Sequence, residues 1–162
     1  MAEPFTIATG IAGLLSLAGP ILAEGYAYLA SVRDSPNALK QLLSEISRLD
    51  AVLGQIDELA RESTTIPVQS QKSRQRVSEV ITPDTIRTAS DLLKSVQSSI
   101  KLCERIPGQS AKNIGRAFFW PFKEREVKES LDRFRRLITT FQLALSIESK
   151  WVFYWISVCV QS

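Results

Sequence analysis

Histidine is absent from the 162 residues, and with it go the usual general base near neutral pH, the commonest metal ligand and the partner of most serine or cysteine nucleophiles. Cysteine is scarce: Cys103 and Cys159 stand far apart, in no C-x-x-C or zinc-ligand spacing, so inert thiols in a reducing interior are the default. No G-x-x-x-x-G-K-[ST] loop exists, and the G-x-x-G of Gly10 to Gly13 lacks the preceding strand and the lysine that a phosphate cradle needs. Carboxylates are plentiful, yet Glu124, Glu126 and Glu129, like Asp57 and Glu58, interleave with Lys and Arg at helical spacing, the pattern of a solvated face. Catalytic residues, a metal and cofactors are therefore not expected, and the chain is read as no enzyme.

Lys and Arg are missing from residues 1–32, which hold Glu3 and Glu24; with +3 overall, the rest of the chain carries +5. A secretory signal needs a positive region before its apolar stretch, and Glu3 stands there instead. Alternating apolar and polar residues, the mark of a half-buried strand, are also lacking, and no internal repeat is present. At 44% apolar and 23% charged residues the composition is that of a globular chain, and its length suits one domain.

Helical periodicity dominates what is there. From Asn37 to Glu62, Leu39, Leu42, Ile46, Leu49, Leu53, Ile56 and Ala60 recur in steps of three and four, the coiled-coil-like seam of a long amphipathic helix, with Ser35-Pro36 as its start signal. Residues 63–82 lose the period and read as a mobile loop. Thr82-Pro83 then has the form of an N-cap followed by proline at the first helical position. Its helix carries Ile86, Ala89, Leu93, Val96, Ile100 and Cys103 and stops at Pro107-Gly108. After a basic connector, residues 124–149 repeat the pattern with Val127, Leu131, Phe134, Ile138, Phe141 and Leu145. The expectation is an all-α fold: a single helical bundle of about four to six helices with a hydrophobic N-terminal helix, over residues 1–148.

Two stretches do not follow the seam. "WVFYWISVCV", residues 151–160, is too short to span a bilayer and too apolar to be left in water. Residues 149–162 are thus a tail of open status: a last turn or strand-like end folded on the bundle, a membrane-interface anchor, or a sequence foreign to the domain. Residues 4–23 form an uncharged run that meets the bare length criterion for a membrane span. Gly10, Gly13, Gly19 and Pro20 weaken it as a helix, and Pro20 is expected to divide it into segments of about 5–18 and 20–33. Ala8, Ala12 and Ser16, then Ala23 and Ala27, space small residues by four, which suits close helix approach in lipid and in a crowded core alike. Composition leaves both readings open.

The block "FTIATGIAGLLSLAG" from Phe5, the turn "YAYLASVRDSP" from Tyr26, and the late "WPFKEREVKESLDRFRR" followed by "FQLALS" together resemble the fungal HeLo-like domain, over about residues 3–148. That domain stands at the N-terminus of many fungal NLR-like and ankyrin proteins. The resemblance implies a bundle that binds and permeabilises the plasma membrane in regulated cell death or heterokaryon incompatibility. It further implies a cytoplasmic protein that moves to the membrane on activation, a homo-oligomer there, and an NLR-like receptor as partner. Carried onto this chain, it makes Phe5, Ile7, Ile11, Leu14, Leu15, Leu17, Ile21 and Leu22 the inserting side chains, with Gly10, Gly13 and Gly19 permitting close helix packing. Members of the family continue into a signalling motif, a nucleotide-binding domain or repeats, whereas here "WVFYWISVCVQS" follows.

From Lys94 to Arg136, eleven bases face five acids. Lys112, Arg116, Lys123, Arg125 and Lys128, beside Phe118, Phe119, Trp120 and Phe122, are candidates for an anionic-lipid surface, at about 1 kcal/mol per base. An ordinary solvated face is the competing reading, and no nucleic-acid module is recognisable. The alternative function is a non-enzymatic interaction or regulatory adaptor whose apolar head stays in its core.

Overall fold

The computed structural model describes residues 4–31, 37–62, 79–104 and 124–160. They form four helices and no strand: α1 (Pro4–Ser31), α2 (Asn37–Glu62), α3 (Pro83–Glu104) and α4 (Glu124–Val160). The all-α expectation is met, and the seams explain it. Leu39, Leu42, Ile46, Leu49, Leu53 and Ile56 of α2 are all buried, as are Ala89, Leu93, Val96 and Ile100 of α3. Val127, Leu131, Phe134, Ile138 and Phe141 of α4 join them, while Ile86 and Leu145 pack on the core half-buried. Each side chain of this size contributes about 1.5–3 kcal/mol when fully buried. The side chains of Ala60 and Cys103, and Ser35, Pro36, Pro107 and Gly108, lie outside the described residues.

α1 packs on α2 and on α3, α2 packs on α1 and on α4, and α3 approaches α4 along only a short stretch. A helix with two neighbours needs a wider apolar stripe than one seam supplies. Accordingly Leu43 and Val52 are buried on α2 beside the expected seam, and Leu92, Leu137 and Ala144 widen the stripes of α3 and α4. Mid-helix hydroxyls are satisfied locally. Ser98 donates to the Lys94 carbonyl at 2.8 Å, and Thr139 to that of Arg135 at 2.9 Å, so neither leaves a donor unpaired.

α3 begins as its sequence requires. The Thr82 hydroxyl accepts from the Thr85 amide at 3.2 Å, the Thr82 carbonyl accepts from Ile86 at 3.2 Å, and Pro83, which has no N–H to waste, takes the first helical position. Thr82→Ala is therefore expected to cost about 1 kcal/mol, read as a lower urea midpoint at unchanged m-value. The end of the expected loop is not a mobile one: Glu79 and Val80 are helical, Val80 packs on the core and Ile81 is fully buried, while residues 63–78 lie outside the description.

Two expectations are corrected. Pro20 does not divide the first segment, because α1 runs unbroken from Pro4 to Ser31 with Pro20 inside it. Pro20 and Ser16 both lie on the exposed face, where the carbonyl that loses its helical donor costs little. The residue before a proline normally resists helical geometry through its Cβ, and Gly19 has none. Second, residues 151–160 are not strand-like: their backbone continues α4 to Val160. No glycine or proline interrupts residues 124–160, and adding one hydrogen-bonded residue to an existing helix is far easier than starting a new element.

Candidate membrane-inserting helix

α1 has an inner face that its sequence half conceals. Ile7, Ile11, Leu14, Ala18 and Ile21 are buried, at 5% exposure or less, and Gly25 continues the same row. The steps are again four and three, but apolar residues on the opposite side hide the period. Leu15, Leu17, Leu22, Tyr28 and Leu29 flank this face half-buried. Of the side chains singled out for insertion, Ile7, Ile11, Leu14 and Ile21 thus form the core of the closed bundle, and Leu15, Leu17 and Leu22 border it. The side chain of Phe5 lies outside the described residues.

The outer face is built from Thr9, Ala12, Gly13, Ser16, Gly19, Pro20, Ala23, Tyr26, Ala27 and Ala30. It carries no Lys, Arg, Asp or Glu. Polar groups there are tied back, as where Ser16 donates to the Gly13 carbonyl at 2.7 Å. Glu24, on the flank, is the one acid between Pro4 and Ser31, and its Oε2 is shielded from solvent without a hydrogen-bond partner. The stretch Ile7–Ala30 meets the length and composition of a membrane-crossing helix, as the core helix of a bundle also can. What sets it apart is that its exposed side is as free of charge as its buried one.

The glycines divide by surroundings. A Cβ at Gly10 would lie 2.7 Å from Ile86 Cδ1 of α3, so α1 and α3 meet closely there. Gly13 and Gly19 look into open space and bring no helix closer in the bundle. Gly25, which sequence reasoning missed, is the tightest: a Cβ would meet Leu43 Cδ1 at 2.9 Å and Cδ2 closer still, and Leu43 is fully buried. Gly25→Ala is expected to destabilise by about 1–3 kcal/mol through overpacking, despite alanine's better helix propensity. Gly13→Ala, with room to spare, is expected to stabilise by about 0.5–1 kcal/mol. Denaturant melts that give both the same sign would contradict this packing.

Basic side chains are most numerous on α4. Arg125, Lys128, Arg133, Arg135 and Arg136 are exposed along it, mixed with Glu126, Glu129 and Asp132. Arg125 Nε donates to Glu129 Oε1 at 3.0 Å. Arg135 Nε donates to Glu45 Oε1 of α2 at 3.1 Å, and Arg48 adds a longer contact at 3.4 Å. Glu45, 8% exposed, is the one buried charged residue among those described, and this pair clasps α4 to α2. Lys112, Arg116 and Lys123, like Phe118, Phe119, Trp120 and Phe122, lie outside the described residues.

An open groove of about 590 Å³ between α1 and α3 is lined by Thr9, Gly10, Pro83, Ile86, Arg87, Ser90, Asp91 and Lys94. It presents a mixed, shallow surface. Among the described residues no group of three His, Cys, Asp or Glu is placed to hold a metal ion. No protein-family model, curated protein or solved structure matches the chain.

Proposed function

We propose that this chain is a membrane-targeting helical domain and that α1 is the part that enters lipid. The observation that carries the proposal is the uncharged outer face of α1. A bundle helix meant to stay in water sets charged residues opposite its core stripe. α2, α3 and α4 do so, with Lys40 and Arg48, Arg87 and Lys94, and Arg125 and Arg136 exposed, and α1 does not. The 24 residues of Ile7–Ala30 extend about 36 Å as a helix, enough for a hydrocarbon layer of about 30 Å. The basic side chains of α4, and those of the connector before it, supply a docking attraction to anionic lipid. With the HeLo-like resemblance, the finer reading is a pore-forming, cell-death-inducing domain of the fungal incompatibility type, cytoplasmic at rest and oligomeric at the plasma membrane.

The full chain, incubated with phosphatidylcholine vesicles and with phosphatidylcholine–phosphatidylserine vesicles, is expected to float with and leak the anionic set, less so as salt rises. Protein that neither floats with nor leaks anionic vesicles sinks the proposal. A second reading has its own observation. Burial of Ile7, Ile11, Leu14, Ala18 and Ile21 suits an interaction adaptor whose α1 never leaves the bundle; intact folding without any lipid response is its signature.

A further inference from the structure

On α3, Arg87, Asp91 and Lys94 follow one another at steps of four and three, all exposed and all lining the groove between α1 and α3. Side chains so spaced share a helix face and commonly pair, as Arg125 does with Glu129 and Arg48 with Glu45. Among the described residues no ion pair joins Asp91 to either neighbour. The row therefore presents cation, anion and cation, in that order, to whatever enters the groove.

Beside that row the lining is apolar, with Gly10 from α1 and Pro83 and Ile86 from α3. Gly10 has no side chain to fill the space, and α1 comes so near that a Cβ there would meet Ile86 Cδ1 at 2.7 Å. The volume of about 590 Å³ falls in the range of small-molecule sites, about 300–1,000 Å³. Charged groups along an apolar trough suit an amphiphile. The order of the charges selects its headgroup: two cations call for two anions, and Asp91 calls for a cation close to both. Phosphatidylglycerol offers one anion and sets it near Asp91 without compensation. Phosphatidylcholine offers a cation but a single anion, and a headgroup of several phosphates is repelled by Asp91. The serine headgroup carries a phosphate, an ammonium and a carboxylate, which is the complement of the row.

We infer that this groove binds the headgroup of phosphatidylserine. Phosphate and carboxylate are divided between Arg87 and Lys94, the ammonium meets Asp91, and the glycerol end lies toward Gly10 and Ile86. The inference names the lipid for the membrane reading and rests on that reading for the presence of a bilayer, but the recognition itself is measured without one. Because α1 and α3 both line the groove, a bound headgroup sits at the seam that α1 has to leave.

Soluble dihexanoyl phosphatidylserine, titrated below its micelle concentration into the full chain, is expected to shift the amide resonances of Thr9, Gly10 and residues 86–94. It is expected to bind about fivefold tighter than dihexanoyl phosphatidylglycerol of equal net charge, the worth of one charge at such a surface. Arg87→Gln and Lys94→Gln each weaken it about fivefold, and because these side chains are exposed the variants keep the fold. Asp91→Asn is the decisive variant. Binding driven by net charge alone would tighten when an acid is removed; here phosphatidylserine binds more weakly, phosphatidylglycerol more tightly, and the preference between them disappears. Equal affinity of the wild type for the two lipids, tighter phosphatidylserine binding by Asp91→Asn, or shifts confined to other residues overturns the inference. So does glycerophosphoserine binding as tightly as the lipid, which would make the ligand a free solute. Leakage separates the two proposals: groove shifts without vesicle leakage refute the membrane reading alone, and leakage with the groove resonances unmoved by phosphatidylserine refutes this one alone.

Discussion

Ser16→Arg is expected to leave the melting temperature within about 2 °C of the wild type and to lower vesicle leakage about 100-fold. The argument rests on two environments for one residue. In the bundle Ser16 is exposed, its hydroxyl is tied to the Gly13 carbonyl, and arginine is the better helix former, so the change in folding stability stays within about 0.5 kcal/mol. In lipid, position 16 lies near the middle of Ile7–Ala30, about 4 Å from its midpoint along the axis. There an arginine costs about 2.5–3.5 kcal/mol on insertion scales, which is the 100-fold. The sign makes the result diagnostic. If α1 merely lay on an anionic surface, an added arginine would strengthen attachment by about 1 kcal/mol. Ala30→Arg, at the end of the same stretch and also exposed, is expected to lower leakage far less, because a terminal arginine reaches the interface. Equal effects at 16 and 30, or stronger binding from Ser16→Arg, would show a helix that never crosses.

The seams of α2, α3 and α4 were legible because one apolar face opposite charged residues leaves its period in the sequence, and every seam residue whose side chain is described is buried or half-buried. α1 was legible as apolar but not as oriented. With Ala12, Ser16, Ala23 and Ala27 outside and Ile11, Leu14, Ala18 and Ile21 inside, no change in polarity marks the faces, and only side-chain size does. The same blur let Gly25 pass unnoticed, since which glycine meets a neighbour in the bundle depends on what Leu43 and Ile86 do from other helices. Leu43 and Val52 escaped because a second neighbour for α2 cannot be inferred from α2. Glu45 was invisible as a buried acid for a related reason: its partner, Arg135, is 90 residues away. Pro20 misled because helix-breaking rules assume a buried or unrelieved carbonyl, and here exposure and Gly19 relieve both costs.

Leu14→Lys, in contrast to Ser16→Arg two residues on, is expected to abolish cooperative unfolding, whichever functional reading holds. Leu14 is 1% exposed and sits midway along the inner row, with Ile11 on one side and Ala18 and Ile21 on the other. Lysine there loses the transfer energy of the leucine, about 2–3 kcal/mol, and must place an ammonium among apolar side chains at a further cost of several kcal/mol, or distort α1 to bring it to water. A domain of this size has about 5–15 kcal/mol in all, so the native population falls steeply. Near-ultraviolet circular dichroism should flatten while far-ultraviolet helicity partly persists, the mark of helices that have lost their shared packing. Leu14→Met, which keeps volume and polarity, should stay within about 1.5 kcal/mol of wild type and retain every activity the chain has. The pair separates occupancy from chemistry at one site. A cooperatively folded Leu14→Lys protein would mean that the inner face of α1 is not committed to the bundle, and the packing of α2 and α3 would then have to stand without it.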